Sequence, residues 1–191
     1  MRRLLACALL LAACKSAPQT RPEVDVSSDA RTFYPLAVGN TWTYELSGAG
    51  DSGRRETIRI VGRDGAWFLD DHRGRFRYES DGVRDADRYL LRTPVKAGAE
   101  WKSVEQLVVQ KFELVTTDAS VVTQAGTFTG CAVVRNEQPL AAPHGDKSGR
   151  FVTEWTYAPR VGLVQLRTST LAANGSERPQ TKLLLVAFRL Q

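Results

Sequence analysis

From Phe33 to the end of the chain, apolar and polar residues alternate in short runs that turn residues separate. Successive side chains of a β-strand point to opposite faces, so this alternation is typical of antiparallel strands with one buried face. Three of the breaks contain Asp64-Gly65, Asp81-Gly82 and Asn174-Gly175, dipeptides that tolerate the positive φ of hairpin turns. The pattern therefore predicts consecutive strands joined by short turns.

We predict a mainly β fold: an antiparallel curved sheet or partly open β-barrel of about eleven strands, with few helices. No segment after the first 13 residues keeps a convincing apolar stripe of helical period through more than three turns. The predicted strands are Thr41–Leu46, Glu56–Val61, Ala66–Asp70, Arg75–Glu79, Arg88–Leu91, Leu107–Thr116, Val121–Gln124, Cys131–Asn136, Phe151–Tyr157, Leu163–Thr170 and Lys182–Leu190.

The first residues have the composition of a secretory signal. Arg2 and Arg3 precede an apolar run, Leu4–Ala13, and the sequence becomes polar after Cys14. A helix of about ten residues is about 15 Å long, whereas a bilayer core requires about 20 apolar residues. We therefore expect residues 1–13 to be a cleaved signal peptide rather than a membrane span.

Leu11-Ala12-Ala13-Cys14 resembles the lipobox of bacterial lipoproteins, in which a Leu and two small residues precede an invariant cysteine. The resemblance implies cleavage after Ala13 and acylation of Cys14 with chains such as palmitate, which would anchor the protein almost permanently. In such lipoproteins an Asp after the cysteine favours the inner membrane; Lys15 occupies that position here, which favours the outer membrane. The alternative is an ordinary secretory signal that contains a cysteine by chance.

Residues 14–31 are rich in Pro, Ser, Thr and charged side chains and contain almost no large apolar group. Such a segment buries too little surface to offset the entropy cost of ordering it, so we predict a lipidated N-terminus followed by a flexible tether. The remaining residues, 32–191, are enough for a single β-rich domain with its own core.

The charge of the chain is only mildly basic. Loss of Arg2 and Arg3 with the signal lowers the formal net charge from +5 to +3. Neither this charge nor export to the envelope favours a nucleic acid partner. The expected partners are the membrane, through covalent lipid on Cys14, and a hydrophobic ligand or an envelope protein.

The sequence offers few groups for catalysis or for a cofactor. It contains no GxSxG, P-loop, HExxH or paired CxxC motif, and its only histidines are His72 and His144. Once Cys7 leaves with the signal and Cys14 is acylated, Cys131 is the single free thiol, and its apolar neighbours indicate a buried core residue. We predict no enzyme activity, no cofactor and no metal site; the catalytic alternative is an envelope hydrolase.

Two polar clusters are candidate contacts. Asp70-Asp71-His72 could hold a weakly bound cation at a strand end, although loop ends are commonly this polar. Arg73, Arg75 and Arg77 alternate with a glycine and two aromatic residues, which places three guanidinium groups on one strand face. These arginines could contact an anion, a lipid headgroup or a protein partner; the alternative is a solvated face that protects a sheet edge from pairing.

Two further patterns concern packing. The run Leu183–Phe188 does not alternate, so this strand is either covered on both faces or lines an apolar cavity. The spacing Pro-x-x-x-Gly-x-x-Trp occurs twice, at 35–42 and at 94–101. It indicates two similar turn-plus-strand motifs, a distant duplication or a chance match.

Three segments carry a wider resemblance: Tyr34–Tyr44, Ala125–Cys131 and Tyr157–Val164. They are similar to segments of a broad group of uncharacterised secreted or lipid-anchored bacterial proteins, and the resemblance implies no catalytic residue and no substrate. The strand count and the anchor are also similar, at the level of fold, to the lipoprotein carriers LolA and LolB, which hold a hydrophobic ligand in an unclosed barrel.

Together these observations predict a membrane-anchored, non-enzymatic lipoprotein of the bacterial envelope that binds a hydrophobic ligand, a lipid or a protein partner. The alternative is a structural or assembly module that docks another envelope protein through its sheet edge or through the Arg73–Arg77 face. A cavity inside the domain would favour a ligand, whereas a filled core would favour docking.

Overall fold

The computed structural model describes residues 28–48, 53–105, 107–140 and 149–191. The predicted signal peptide, Cys14, most of the predicted tether and His144 lie outside these residues. Within the described ranges, no helix is both long enough and apolar enough to cross a bilayer.

Within the described residues, twelve antiparallel strands form one sheet that curves into a nearly closed barrel. The strands are β1 (Thr41–Gly48), β2 (Arg54–Asp64), β3 (Trp67–Asp70), β4 (Arg75–Glu79), β5 (Gly82–Asp85), β6 (Tyr89–Arg92), β7 (Glu100–Glu105), β8 (Val108–Thr123), β9 (Gly126–Pro139), β10 (Arg150–Ala158), β11 (Gly162–Leu171) and β12 (Glu177–Arg189). Their order across the sheet is β6-β5-β4-β3-β2-β1-β12-β11-β10-β9-β8-β7. The predicted fold class is confirmed.

The strand predictions differ most from the structure at β5, β7 and β8, while β9 and β12 each begin five residues earlier than predicted. β5 has only four residues, two of them charged, and most positions of β7 are charged or polar. Neither run is long or apolar enough to show a clear period of two, so neither is predicted. The predicted break between Thr116 and Val121 is wrong, because β8 continues through it as an irregular segment whose register shifts repeatedly.

Inward-facing side chains fill the barrel. Phe112 of β8 and Leu185 of β12 are fully buried, and Trp42 of β1 is almost so. The ring of Tyr34 lies 6.0 Å from that of Tyr157 and 6.3 Å from that of Trp42, measured between centroids. Burial of one large apolar side chain contributes about 1.5–3 kcal/mol, so this interior is the main source of stability.

A short helix, α1 (Ala30–Phe33), packs at one end of the barrel. The Asp29 side chain caps it by accepting a hydrogen bond from a backbone N–H of its first turn. Ala30 is fully buried, and its backbone N–H donates to Thr93 Oγ1 over 3.0 Å. Residues 28–31 therefore pack on the barrel. The sequence predicts that the flexible tether extends through residue 31, so its last four predicted residues belong to this packed segment.

The repeated Pro-x-x-x-Gly-x-x-Trp spacing corresponds to two copies of one motif, at the starts of β1 and β7. Gly39 and Gly98 both have positive φ, of 96° and 82°. The backbone N–H of Gly39 donates to Ile60 O on β2 over 2.8 Å, and that of Gly98 donates to Leu114 O on β8 over 2.7 Å. The sheet therefore consists of two six-stranded meanders, β1–β6 and β7–β12, that begin with the same turn.

The tryptophans of the two motifs also occupy similar environments. Trp42 and Trp101 are buried, with exposed fractions of 4% and 7%. Each donates its indole N–H to a backbone carbonyl, Trp42 to Val161 O over 2.6 Å and Trp101 to Tyr89 O over 3.1 Å. The prediction of two similar turn-plus-strand motifs is confirmed.

The apolar run in β12 is covered on both faces from Leu183 to Val186 and is exposed at Ala187 and Phe188. Leu185 packs in the core, while the distal part of the β8–β9 hairpin folds over the outer surface. There the Phe128 ring lies 6.2 Å from the Phe188 ring, and Gln124 Oε1 accepts a hydrogen bond from Arg55 on β2 over 3.1 Å. The run does not alternate because both faces of the strand pack, which is one of its two predicted explanations.

Candidate functional site

The predicted arginine face is only partly formed. Arg75 and Arg77 project from the same face of β4, and their guanidinium groups lie 5.0 and 4.5 Å from the ring centroid of Trp67. Arg73 precedes β4 in a turn, with a φ of 68°, so it does not belong to that face. The interpretation that these arginines protect a sheet edge is wrong, because β4 lies between β3 and β5.

Acidic neighbours already engage the two arginines of β4. Arg75 Nη2 lies 3.3 Å from Asp64 Oδ2, and Arg77 forms an ion pair with Glu79. These side chains are roughly a third to a half exposed, where ion pairs contribute about 0–1 kcal/mol. Nearby carboxylates therefore balance both of these cations.

Asp70, Asp71 and His72 shape a turn rather than a cation site. Asp70 Oδ1 accepts hydrogen bonds from two backbone N–H groups of that turn. Asp71 Oδ1 accepts from the backbone N–H of Arg59 over 2.9 Å, and His72 Nδ1 lies 3.0 Å from Glu56 Oε1 on the surface. In the part of the chain that the structure describes, no group of three or more His, Cys, Asp or Glu side chains could hold a metal ion.

Cys131 is a buried core residue, as its apolar neighbours predict. Its thiol is free, and the residue has no exposed surface. Burial raises the pKa of the Cys131 thiol to about 11. Because the thiolate is the nucleophilic form, this cysteine is inert at neutral pH and acts as packing.

The two edges of the sheet, β6 and β7, meet at a seam. Trp101 Nε1 donates to Tyr89 O over 3.1 Å, and Ser103 Oγ donates to Asp87 O over 2.8 Å. Among the described residues no ladder pairing joins β6 to β7, whereas β12 and β1 join the same two meanders through eight residue pairs. Side-chain hydrogen bonds therefore hold the seam where backbone pairing is missing.

The hairpin between β7 and β8 carries four exposed apolar residues, Val104, Leu107, Val108 and Val109, which we call the apolar tip. Their exposed fractions are 64%, 97%, 56% and 62%. Val104 and Val109 pair across the hairpin, so their side chains lie on the same face, and exposed apolar neighbours of this kind make a candidate interaction surface. The apolar tip borders the seam, because β7 is an edge strand.

Sequence reasoning missed the apolar tip. It assigns Leu107 to the start of a strand and does not predict the strand that precedes it, so the hairpin is not expected. The signal was present in the three consecutive apolar residues 107–109, which break the alternation. Because β7 is not predicted, however, the sequence does not indicate that residues 107–109 lie at an exposed turn.

Arg88, in the turn between β5 and β6, occupies the mouth of the barrel, the end opposite α1. Its side chain is 15% exposed, and its guanidinium carbon lies 4.1 Å from the Trp155 ring centroid and 5.0 Å from that of Phe112. Asp85 Oδ2 lies 3.8 Å from Arg88 Nε, while its Oδ1 accepts from the backbone N–H of Arg88 over 2.7 Å. Arg88 Nη1 is buried and has no hydrogen-bond partner in the part of the chain that the structure describes.

The charge of Arg88 reaches the interior of the barrel. Tyr157 is 1% exposed, and burial raises the pKa of its hydroxyl to about 12. Attraction by the Arg88 guanidinium opposes part of this rise in pKa. Electrostatic interactions are stronger in such a poorly solvated environment than in water.

An open depression of about 410 Å³ lies beside Arg88, and we call it the mouth depression. The other lining residues that the structure describes are uncharged: Val108, Gln110, Asn136, Gln138, Thr153 and Trp155. Asn136 is 3% exposed; its Nδ2 donates to Lys111 O over 2.8 Å, and its Oδ1 accepts from Gln138 Nε2 over 3.1 Å. The depression is therefore polar, with one cation and a hydrogen-bonded wall.

The barrel is similar to solved structures. An exported protein of Bacteroides fragilis with a YmcC-like fold gives a TM-score of 0.52 at 14% identity, covering 83% of this chain and 99% of that one. A lipoprotein of Parabacteroides distasonis gives a TM-score of 0.45 at 15% identity, covering 84% and 100%. The lipoprotein YmcC of Escherichia coli gives a TM-score of 0.33 at 12% identity, covering 87% and 92%.

The comparison with the Bacteroides fragilis protein establishes a fold and not a family. No protein family and no curated protein matches the chain in sequence. The Bacteroides fragilis structure covers most of the chain, so the molecule is an antiparallel β-barrel with a YmcC-like fold. An identity of 14% says nothing further about activity.

Proposed function

We propose that this chain is a lipid-anchored, non-enzymatic protein of the bacterial outer membrane whose barrel docks another envelope protein through the apolar tip. The lipobox at Leu11–Cys14 and the lysine that follows it support the anchor and the membrane. The Bacteroides fragilis protein with this fold is itself named as exported, which agrees with a location in the envelope.

The exposure of the apolar tip is the observation that carries the docking proposal. Burying one such side chain contributes about 1.5–3 kcal/mol, so four of them could supply the centre of a specific interface. Leu107, the most exposed of them, lies at the hairpin turn beside the unpaired edge of the sheet. An apolar surface on the partner is therefore the expected complement.

The position of the apolar tip also supports docking. The backbone N–H of Val95, in the linker that leads into β7, donates to Ser28 O over 2.6 Å. The N-terminal segment therefore joins the fold at one end of β7, and the apolar tip lies at the other end. Lipid anchoring through the N-terminus leaves the tip free to contact a partner.

A hydrophobic ligand held inside the barrel is less well supported. Phe112, Leu114, Val134 and Leu185 occupy the interior and are fully buried. The depressions described in the structure, of about 360–550 Å³, open at the rims and on the outer surface. The packed interior favours docking over the ligand carriage that the similarity to LolA and LolB implies.

Photocrosslinking in intact cells tests the proposal. A photoreactive residue replaces Leu107, and a matched control replaces Ala97, which is exposed at the other end of β7. We expect a discrete protein adduct from position 107 that position 97 does not form. Val104→Lys combined with Val109→Lys should reduce this adduct, because it places two charges in the interface.

Three outcomes would contradict the proposal: adducts to lipid alone, the same protein adducts from both positions, or an adduct that persists in the double-lysine variant. Arg75→Gln and Arg77→Gln address the alternative docking surface. If these substitutions remove the adduct and the lysine substitutions do not, the β4 face is the docking surface instead.

A further inference from the structure

We infer that the mouth depression binds a small molecule that carries a single carboxylate on a polar body. Arg88 lies at its base, held by the rings of Trp155 and Phe112. This inference is independent of protein docking, although Val108 belongs to both surfaces.

The charge of the depression selects a monoanion. Among the lining residues that the structure describes, Arg88 is the only charged one, and the remaining six are neutral. A guanidinium group matches the two oxygens of a carboxylate, to which it can donate two parallel hydrogen bonds. A dianion such as phosphate would require a second cation to offset its desolvation.

Within the described structure, the Arg88 guanidinium group lacks hydrogen-bond acceptors for some of its N–H groups, and its ion pair is long. Its acidic neighbour, Asp85, lies 3.8 Å from Nε and uses its other oxygen to accept two backbone N–H groups of the turn. Arg88 Nη1 is buried and has no hydrogen-bond partner among the described residues, and the guanidinium group also interacts with the Tyr157 hydroxyl. A mostly buried cation without a full set of acceptors is costly, and a carboxylate would offset part of this cost by binding the portion of Arg88 that lines the depression.

The rest of the lining fits a polar body rather than an alkyl chain. The amide of Gln138 and the hydroxyl of Thr153 can donate and accept hydrogen bonds, and the volume of about 410 Å³ lies within the range of small-molecule sites. Asn136 Oδ1 accepts a hydrogen bond from Gln138 Nε2 over 3.1 Å, so this wall is ordered before a ligand binds. Acylated peptides with a free C-terminus and sugar acids both have this chemistry.

Calorimetric titration of the full chain in an uncharged detergent tests the inference. The probes are N-acetyl-alanyl-alanine and glucuronic acid, with the dipeptide C-terminal amide and glucose as neutral counterparts. We expect saturable binding of at least one acid, no binding of its neutral counterpart, and affinity at least about tenfold lower in Arg88→Gln. The acid that binds identifies the source of the carboxylate.

Matched variants separate binding from folding. Arg75→Gln, on the outer surface, should retain the affinity of the wild type. If Arg88→Gln does not fold, Thr153→Val and Gln138→Met replace it, and each should weaken binding at least about threefold. The inference is overturned if the folded wild type binds neither acid, binds acid and neutral counterpart equally, or binds as tightly after the lining is changed.

Discussion

Trp101 of β7 donates its indole N–H to the backbone carbonyl oxygen of Tyr89 over 3.1 Å, and this bond joins the two edges of the sheet. The matching residue in the other meander, Trp42, makes a similar bond to Val161 O beside a complete β12–β1 ladder. One indole therefore contributes to closure at the seam, whereas the other supports a junction that is already paired.

Trp101→Phe should lower the free energy of unfolding by about 1–2 kcal/mol, because it removes this hydrogen bond and reduces packing at the seam. Trp67→Phe is the control, since Trp67 lies under the arginines of the outer face; its effect should stay within about 0.5 kcal/mol. Urea unfolding followed by circular dichroism measures both. Equal losses would show that the seam bond contributes nothing specific.

Gly82→Ala should destabilise the barrel more than Gly98→Ala. A Cβ atom at Gly82 would lie 2.3 Å from Leu91 O, whereas one at Gly98 would meet nothing within 4 Å. Gly98→Ala therefore carries only the strain of its positive φ, about 1–2 kcal/mol, while Gly82→Ala adds a backbone clash. Thermal unfolding of the two variants ranks them, and the reverse order would contradict the packing between β5 and β6.

Between pH 9 and 11, the wild type should lose stability more steeply than Cys131→Ala. The Cys131 pKa rises from 9.0 to about 11 on burial, so in this window the unfolded chain releases a proton that the folded chain retains. Ionisation then favours the unfolded state, by up to about 1.4 kcal/mol per pH unit. Urea unfolding across this range tests the difference, since the tyrosines are common to both proteins; parallel curves would argue against a buried neutral thiol.

Cys14→Ser should release the protein from membranes, because the proposed acyl chains attach to that thiol. Fractionation and metabolic labelling with palmitate measure the change, and Cys131→Ala, which alters a core thiol, serves as the control. Only the first variant should lose label and leave the membrane fraction. A Cys14→Ser protein that still sediments with membrane would require another anchor.

Much of the architecture could be predicted from the sequence, because alternation reports directly on a half-buried strand. The limits of β4 are predicted without error, and the shared spacing at 35–42 and 94–101 indicates a real structural motif. Alternation is a weaker guide where a strand packs on both of its faces. The apolar run in β12 is explained equally well by packing on both faces or by an apolar cavity. Only the position of the β8–β9 hairpin in the structure decides between these explanations.

The candidate sites were harder to predict, because they depend on contacts between distant segments. The arginines at 75 and 77 share a face as predicted, but the acidic residues that pair with them and the ring beneath them follow from strand pairing. The sequence predicts that Arg88 begins a strand. Its position in the barrel mouth depends instead on its contact with Trp155, which is far away in the sequence. Spacing along the chain contains no information about such a contact.

The pairing of β1 with β12 also has a kinetic consequence. The ladder that unites the two meanders pairs Thr41 with Arg189, so strands near opposite ends of the chain must meet. The last residue extends this contact, since the Gln191 backbone N–H donates to Asn40 Oδ1 over 2.9 Å. Native contacts of such long sequence separation slow folding. If the chain is exported N-terminus first, as we propose, the barrel cannot be completed until β12 has left the translocation channel, so folding of the whole sheet follows export.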